Sequence, residues 1–444
     1  MGQAVTIQFL NHASVKIRTD AVTIVSDPWL WGSIFNNGWD LLWASEHLFP
    51  VAADSDFIWI SHEHPDHFSP AFFRRIADKK PRVLFQSTRD SRVARYLGDA
   101  GFDVVVVENG RYVHVTPSER FLIGRNGLYD SWSVFESGGK RILNLNDCII
   151  KSERELRAIR KRIGHIDALL TQFSYAGWVG NSQSKSLHEQ AAQRRLDVVR
   201  TQLECLEPDF VIPFASFAWY SHEENAYLNA SVNRLPHFLE VCALTPSVPI
   251  VLQPLDAWDV GDRHDNTAAI HFWECAYARV SSASLRSTRH TSDVDTLRTE
   301  CDAYRRRIFT NNSRLWMTLL SKIPLFDLFG PLHIHLTDIG TTVRFSFFDR
   351  LREVSDPVSA DIEMSCDSLS FIFANDFGFD TLMANGRCNA SNAGLDRVIR
   401  NFAIGNVNAM GWSLGPALFS EMLSGFRFGV LPLVLRELKN VNPE

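Results

Sequence analysis

The 444-residue sequence has no C-x-x-C pair, and its seven cysteines are an odd number. In a chain this long, that usage reads as reduced thiols rather than a disulfide framework and favours a cytoplasmic setting. No apolar run is long enough to span a bilayer, since Phe428–Leu435 is broken by Pro432 and preceded by Arg427; no membrane association is expected. The opening Met1-Gly2-Gln3-Ala4-Val5-Thr6-Ile7 lacks the basic and apolar regions of a secretion signal and already alternates like a strand. Positive charge is not in excess: 45 Lys and Arg stand against 51 Asp and Glu, a net −6, so no nucleic-acid partner is expected. Repeats and low-complexity tracts are missing too. What is present, 45% hydrophobic residues with 31 Phe, is ample for a buried core, and the length suggests roughly two to three domains.

Val5–Phe9, Ser14–Ile17 and Val22–Val25 read as a small antiparallel start that ends at Asp27-Pro28. The apolar run Phe57-Ile58-Trp59-Ile60 has the character of a buried strand and leads straight into Ser61-His62-Glu63-His64-Pro65-Asp66-His67. Alternating helix and strand follow: a helix over Pro70–Asp78, a strand at Arg82–Phe85, a helix over Ser87–Ala100 and a strand at Asp103–Glu108. Trp132–Glu136 and Arg141–Leu145 flank the turn Ser137-Gly138-Gly139, and the second strand runs out into Asn146-Asp147-Cys148. A long helix is predicted over Leu187–Leu206, then a strand at Phe210–Ile212. Ser, Thr and Arg dominate Arg279–Asp295, so the expected organisation is a first domain over 1–255, a linker over 256–296 and an α+β domain over 297–444. In that last part Leu297–Leu320 reads as helical, Leu332–Phe348 and Asp361–Leu382 as containing strands, and Leu414–Asn440 as a helical end broken at Pro432.

The strongest chemical signal is His62-x-His64-x-Asp66-His67. Alternation turns His62 and His64 toward one metal ion, while Asp66 and His67 on the next turn are displaced enough to hold a second. Two shorter patterns are weaker. Gly411-Trp412-Ser413-Leu414-Gly415 spells a nucleophile elbow, but no His follows it and no clear strand precedes it. His333 and His335 form an H-x-H pair without a neighbouring Asp-His partner.

H-x-H-x-D-H after an apolar strand resembles the metallo-β-lactamase superfamily, as do Asn11-His12-Ala13-Ser14 and Ser26-Asp27-Pro28-Trp29 at the start of the chain. The resemblance covers roughly residues 5 to 255 and implies an α/β fold, an αββα sandwich with a dinuclear site at one sheet edge. It makes Asp147 the bridging carboxylate. Where family members commonly place a His before the hairpin that leads to this Asp, the present chain has Asp130, with Asn126 and His114 as reserves. Three carboxylates, Asp66, Asp130 and Asp147, would then face two divalent ions, a hard ligand set that suits iron better than zinc. The last ligand is expected after Phe210–Ile212 and is assigned to His222.

Asn144-Leu145-Asn146-Asp147-Cys148, Leu170–Ala176, Pro213–Phe217 and Gly378-Phe379-Asp380-Thr381-Leu382 resemble the CMP-N-acetylneuraminate hydroxylase branch of the superfamily. That resemblance implies a di-iron monooxygenase using O2 on a small-molecule or natural-product substrate. The seven cysteines supply no Cys-x-His and Cys-x-x-His pair for a Rieske cluster, so a separate ferredoxin or reductase is expected as electron donor. In this reading one iron takes His62, His64 and Asp130, the other Asp66, His67 and His222, with Asp147 between. Asp66 and Asp147 are the carboxylates assigned to catalysis; His12 and Asp27 orient ligand imidazoles, and Gln172, Tyr175 and Trp178 line the substrate approach. The rival is a di-zinc hydrolase of a phosphoester, lactone or amide, in which the ions lower the pKa of a bound water.

Overall fold

The computed structural model describes residues 4–76, 80–288, 292–322, 328–354 and 359–415. Two seven-stranded sheets lie face to face. The first has the strand order Ala257–Asp259, Thr6–Asn11, Ser14–Arg18, Thr23–Ser26, Phe57–Ile60, Arg82–Gln86, Val104–Val107. The second runs Val248–Pro249, Phe210–Phe214, Ala168–Gln172, Lys140–Asn146, Asp130–Ser137, Arg120–Asn126, Tyr112–His114.

Strand periodicity explains the layers. In Phe57–Ile60 every side chain is buried, yet Phe57 and Trp59 join the core between the sheets while Ile58 and Ile60 join a separate core on the outer face. Leu84 likewise points inward, and Val83 and Phe85 outward. A strand covered on both faces must be apolar at consecutive positions, which is why this run does not alternate. The outer core is closed by the helices Pro70–Arg75 and Arg92–Asp99, through Phe72, Phe73, Val93 and Leu97. On the far side, the helices Glu153–Ile163 and Lys185–Leu206 pack on the second sheet through Leu156, Ile159, Val199 and Leu203. This is the αββα sandwich.

A third core lies C-terminal to it, around a five-stranded sheet that includes Leu332–Leu336, Thr341–Phe345 and Ile362–Met364, covered by helices Val294–Asn311 and Asn392–Ala409. Two expectations need correction. The segment taken as a linker, 256–296, contributes the edge strand Ala257–Asp259 and the helix Thr267–Val280, whose Trp273 and Tyr277 are buried in the first core. Within Asp361–Leu382 only Ile362–Met364 is a strand; Cys366–Ala374 and Gly378–Asn385 are helices, because Leu369, Ile372 and Phe373 recur at helical spacing on the buried face. The helical end expected over Leu414–Asn440 falls, from residue 416 onward, outside the described residues.

Candidate metal centre

The strand Phe57–Ile60 ends at the sheet edge and releases Ser61–His67 there, in a turn closed by the His67 and Phe68 N–H groups donating to the His64 carbonyl at 2.9 and 2.7 Å. Four other strand ends arrive at the same edge. They bring His12 from the turn after Thr6–Asn11, Asp27 from the end of Thr23–Ser26, Asp130 from the start of Asp130–Ser137, and Asn146-Asp147 from the end of Lys140–Asn146. His12, Asp27 and Asn146 have left-handed φ of 31°, 35° and 56°. Those residue types tolerate this region best among non-glycines, and such strain collects at functional sites.

One network fixes the imidazoles from behind. The Asp27 carboxylate can only accept, so the Ser61 hydroxyl donates to it at 2.7 Å, and the Ser61 N–H does so at 2.8 Å. With its proton committed, Ser61 Oγ accepts from His62 Nδ1 at 2.9 Å, which leaves His62 Nε2 as a bare lone pair facing the site. His67 Nδ1 donates to Asp27 at 2.9 Å, which turns Nε2 toward the site. The Asn146 amide adds donors to Asp27 and to Ser61 Oγ.

Three donor groups result: His12, Asp66 and His67; His62, His67 and Asp147; and His62, His64 and Asp130. At the buried end, Asp66 Oδ2 lies 3.1 Å from His67 Nε2 and 3.6 Å from His12 Nε2. Asp147 Oδ2 stands between, 3.4 Å from His67 Nε2 and 3.6 Å from His62 Nε2. At the open end, His64 Nδ1 is 2.8 Å from His62 Nε2, and Asp130 Oδ1 is 3.9 Å from the same nitrogen. His64 Nε2 donates at 2.8 Å to Asp380, a residue of the C-terminal helix Gly378–Asn385, so its Nδ1 is the nitrogen free to ligate.

The charges are strongly perturbed. Burial, reinforced by His67 and His64, drives the His62 imidazole well below its ordinary value against the pull of Asp147. Burial would also lower His64 and His67, but Asp380 raises His64 to about 10, and Asp66 with Asp147 raises His67 well above the ordinary range, so each ring holds a second proton that a bound metal ion would displace. Asp66 and Asp147 are held low despite burial, chiefly by His67 and by His62 respectively. His12 Nε2, His67 Nε2, Asp66 Oδ1 and Asp147 Oδ1 are buried without hydrogen-bond partners. Three of these, His67 Nε2 and the two carboxylate oxygens, can ligate a cation, and left together unsatisfied they are costly. Imidazole and carboxylate donors at this spacing fit a pair of metal ions.

His222 is not among them. Its Nε2 bonds to Thr288 Oγ1 at 2.9 Å and its Nδ1 accepts the Glu224 N–H at 3.2 Å, so both ring nitrogens are engaged at the seam with the C-terminal part. His12, expected as an orienting residue, lies beside the centre: its Nδ1 accepts the Phe217 N–H at 3.2 Å, which leaves the ring proton on Nε2, facing Asp66. Gln172 donates to the Ala215 carbonyl at 3.0 Å, and Trp178 donates to the Cys388 carbonyl at 3.1 Å within the C-terminal core. Tyr175 lines a small cavity beside His12, but its hydroxyl is bound to the Leu228 carbonyl. Sequence reasoning missed Asp380, Asn146 and Ser61. The phrase that contains Asp380 was noticed, but nothing in it signals a contact with a residue more than three hundred positions away.

A second cavity, about 160 Å³, opens beside the exposed end of the centre. Glu63, Arg89, Arg125 and Tyr129 line it from the sandwich, and Met410 and Trp412 from the C-terminal part. Burial, reinforced by Asp90, pushes the Glu63 carboxyl up to about 7.

Residues 6–214 match the beta-lactamase superfamily domain, and the sandwich with its edge-mounted histidines is the fold of that class. The chain carries a metallo-β-lactamase-superfamily domain with relatives in the hydroxylase-like branch. It is 26% identical over 247 residues to the cytidine monophosphate-N-acetylneuraminic acid hydroxylase of Danio rerio, covering 50% of this chain and 40% of the relative. To the hydroxylase of that name from Cricetulus griseus it is 28% identical over 239 residues, covering 50% and 42%. The match thus spans about two fifths of the length of these relatives. Among solved structures, CmlA, a diiron beta-hydroxylase from Streptomyces venezuelae, aligns with a TM-score of 0.42 and 18% identity over 58% of this chain and 54% of that one. No helix among the described residues is long and apolar enough to cross a membrane.

Proposed function

We propose that this protein is a metallo-β-lactamase-fold monooxygenase that hydroxylates a small organic substrate with O2 and electrons from a separate ferredoxin or reductase. One metal ion would be held by His62, His64 and Asp130, the other by Asp66 and His67, with Asp147 between them and His12 orienting Asp66. When bound, two irons would supply the activation of O2. The observation that carries the reading is the group of His62, His64 and Asp130. A carboxylate there, where a histidine is usual, makes the donor set rich in oxygen, and hard anionic ligands stabilise oxidised iron more than they help zinc. The hydroxylase relatives support the same reading.

The chain's own residues prepare the site. Asp27 and Ser61 hold His62 and His67 with their Nε2 lone pairs facing inward, and Asp380 does the equivalent for His64 through Nε2. The wholly buried end keeps bulk water out, whereas substrate would enter through the cavity lined by Glu63 and Tyr129 at the open end. The test is metal analysis of protein purified from iron-supplied cells, with an absorption spectrum. About two irons per chain and the absorption of a bridged diferric centre are expected. Stoichiometric zinc with rapid ester hydrolysis would establish a hydrolase instead.

A further inference from the structure

Two cavities flank the metal centre, and they differ in size and in lining. The one of about 160 Å³ at the open end carries Glu63, Asp90, Arg89 and Arg125 and takes the substrate in the reading above. The other holds only about 20 Å³ and lies beside His12, at the buried end. A single water needs about 10–15 Å³ on this measure, so this cavity admits a molecule about the size of water or a diatomic gas and no organic substrate.

Its wall is apolar because its polar atoms are engaged elsewhere. Tyr220 and Tyr277 donate their hydroxyls to the Gly177 and Ser216 carbonyls at 3.0 and 3.4 Å, and Tyr175 donates to the Leu228 carbonyl. The three tyrosines thus present rings, beside the methyls of Ala176, Ala215 and Ala218. Among the described residues no carboxylate, lysine or arginine lines it.

The cavity also leads to the centre. Ala176 at its rim is exposed and Trp219 half-buried, whereas Ala215, Tyr220 and Tyr277 are buried, so it runs inward from the surface. At the inner side the Ala215 N–H donates to the His12 carbonyl at 2.9 Å and the Phe217 N–H to His12 Nδ1 at 3.2 Å, which ties this wall to His12. The other nitrogen of that ring faces Asp66 at 3.6 Å. One imidazole therefore stands between the cavity and a metal ligand.

We propose that this cavity is a binding site for dioxygen, which reaches the buried end of the centre through it while the substrate occupies the open end. Small apolar cavities in proteins stay dry and take up xenon, and dioxygen is likewise small and apolar. Two separate routes let both reactants reside at the centre together, neither closing the other's approach. The proposal rests on the functional reading above in taking dioxygen as a reactant.

The experiment pressurises crystals of the metal-loaded protein with xenon, for wild type, for Ala218→Leu, which fills the cavity, and for Ala176→Phe, which plugs its rim. Xenon is expected in the cavity of wild type and not in that of Ala218→Leu. In solution, reduced iron-loaded protein is mixed with dioxygen, which takes two electrons and two protons per pair of Fe(II) to give hydrogen peroxide, and the return of the diferric absorption is timed. Both variants should reoxidise about tenfold more slowly at unchanged iron content, because a close-packed wall opens only through fluctuation. Ala176 is exposed, so Ala176→Phe carries the test if Ala218→Leu does not fold. Trp39 Nε1, on the cavity wall, is buried without a partner among the described residues. An ordered water held there in place of xenon, no xenon in the wild-type cavity, or reoxidation at the wild-type rate in both variants would each overturn the proposal. Zinc in place of iron would defeat the oxygenase reading, and xenon occupancy alone would then decide whether the cavity takes a gas.

Discussion

The two ends of the metal centre are built differently. The end made by His12, Asp66 and His67 lies wholly inside the sandwich, and Asp27, Ser61 and Asn146 brace it from a network with no exposed member. The end made by His62, His64 and Asp130 is partly open: the Asp130 side chain is 28% exposed and the last constraint on His64 comes from Asp380, in the C-terminal part of the chain. One end is therefore organised by the strands that carry it, while the other is complete only when two parts of the molecule pack together. A substrate needs an approach, and the open end has it.

The largest effect should come from breaking the buried brace. Asp27→Ala leaves Ser61, His67 and Asn146 without their common acceptor. In chelator-treated protein it should destabilise the fold by about 3–5 kcal/mol, read by urea unfolding. A loss below about 1 kcal/mol would mean the brace is not what organises this end.

Asp130→Ala should come next, lowering bound metal to about one ion per chain while the buried end keeps its own. Unchanged metal content would remove Asp130 from the ligand set, and the argument for iron with it. Asp380→Asn removes a negative partner but keeps the fold; it should weaken the open-end ion about 10–100-fold in a competitive chelator titration. If both ions weaken equally, the ends are not independent and the comparison fails.

The smallest effect concerns the seam itself. Burial, assisted by Arg387, pushes the His222 imidazole down to about 4 from an ordinary 6.5. Between those values the unfolded chain takes up the proton and the folded one does not, so stability should fall as pH drops from about 6.5 toward 4 and level off below. His222→Gln should flatten that part of the pH profile and leave metal content untouched. Metal loss in this variant would return His222 to the centre.

Much of the site was legible because it is local. Four ligand types sit within six positions directly after a strand whose unbroken apolar character marks burial on both faces. A strand end is where side chains can leave a sheet together, so motif and place could be read at once. The hairpin that carries Asp130 and Asp147 was readable for the same reason, its turn being written in Ser137-Gly138-Gly139. The choice between His12 and His222 was not readable. Both are lone histidines near strand ends, and which one stands beside the centre depends on whether Thr288 and Glu224 or Asp66 lie next to it.

Sequence alone determined the individual strands and the core of the ligand set, since strand periodicity and a six-residue motif are short-range properties that each segment carries alone; the αββα layering was what the family resemblance implied. Only tertiary structure decided the layering itself, which histidine stands beside the centre and the grip of Asp380 on His64. Those depend on contacts between residues far apart in the chain, and hydrogen bonds and charges at such distances are set by packing, which no local pattern encodes.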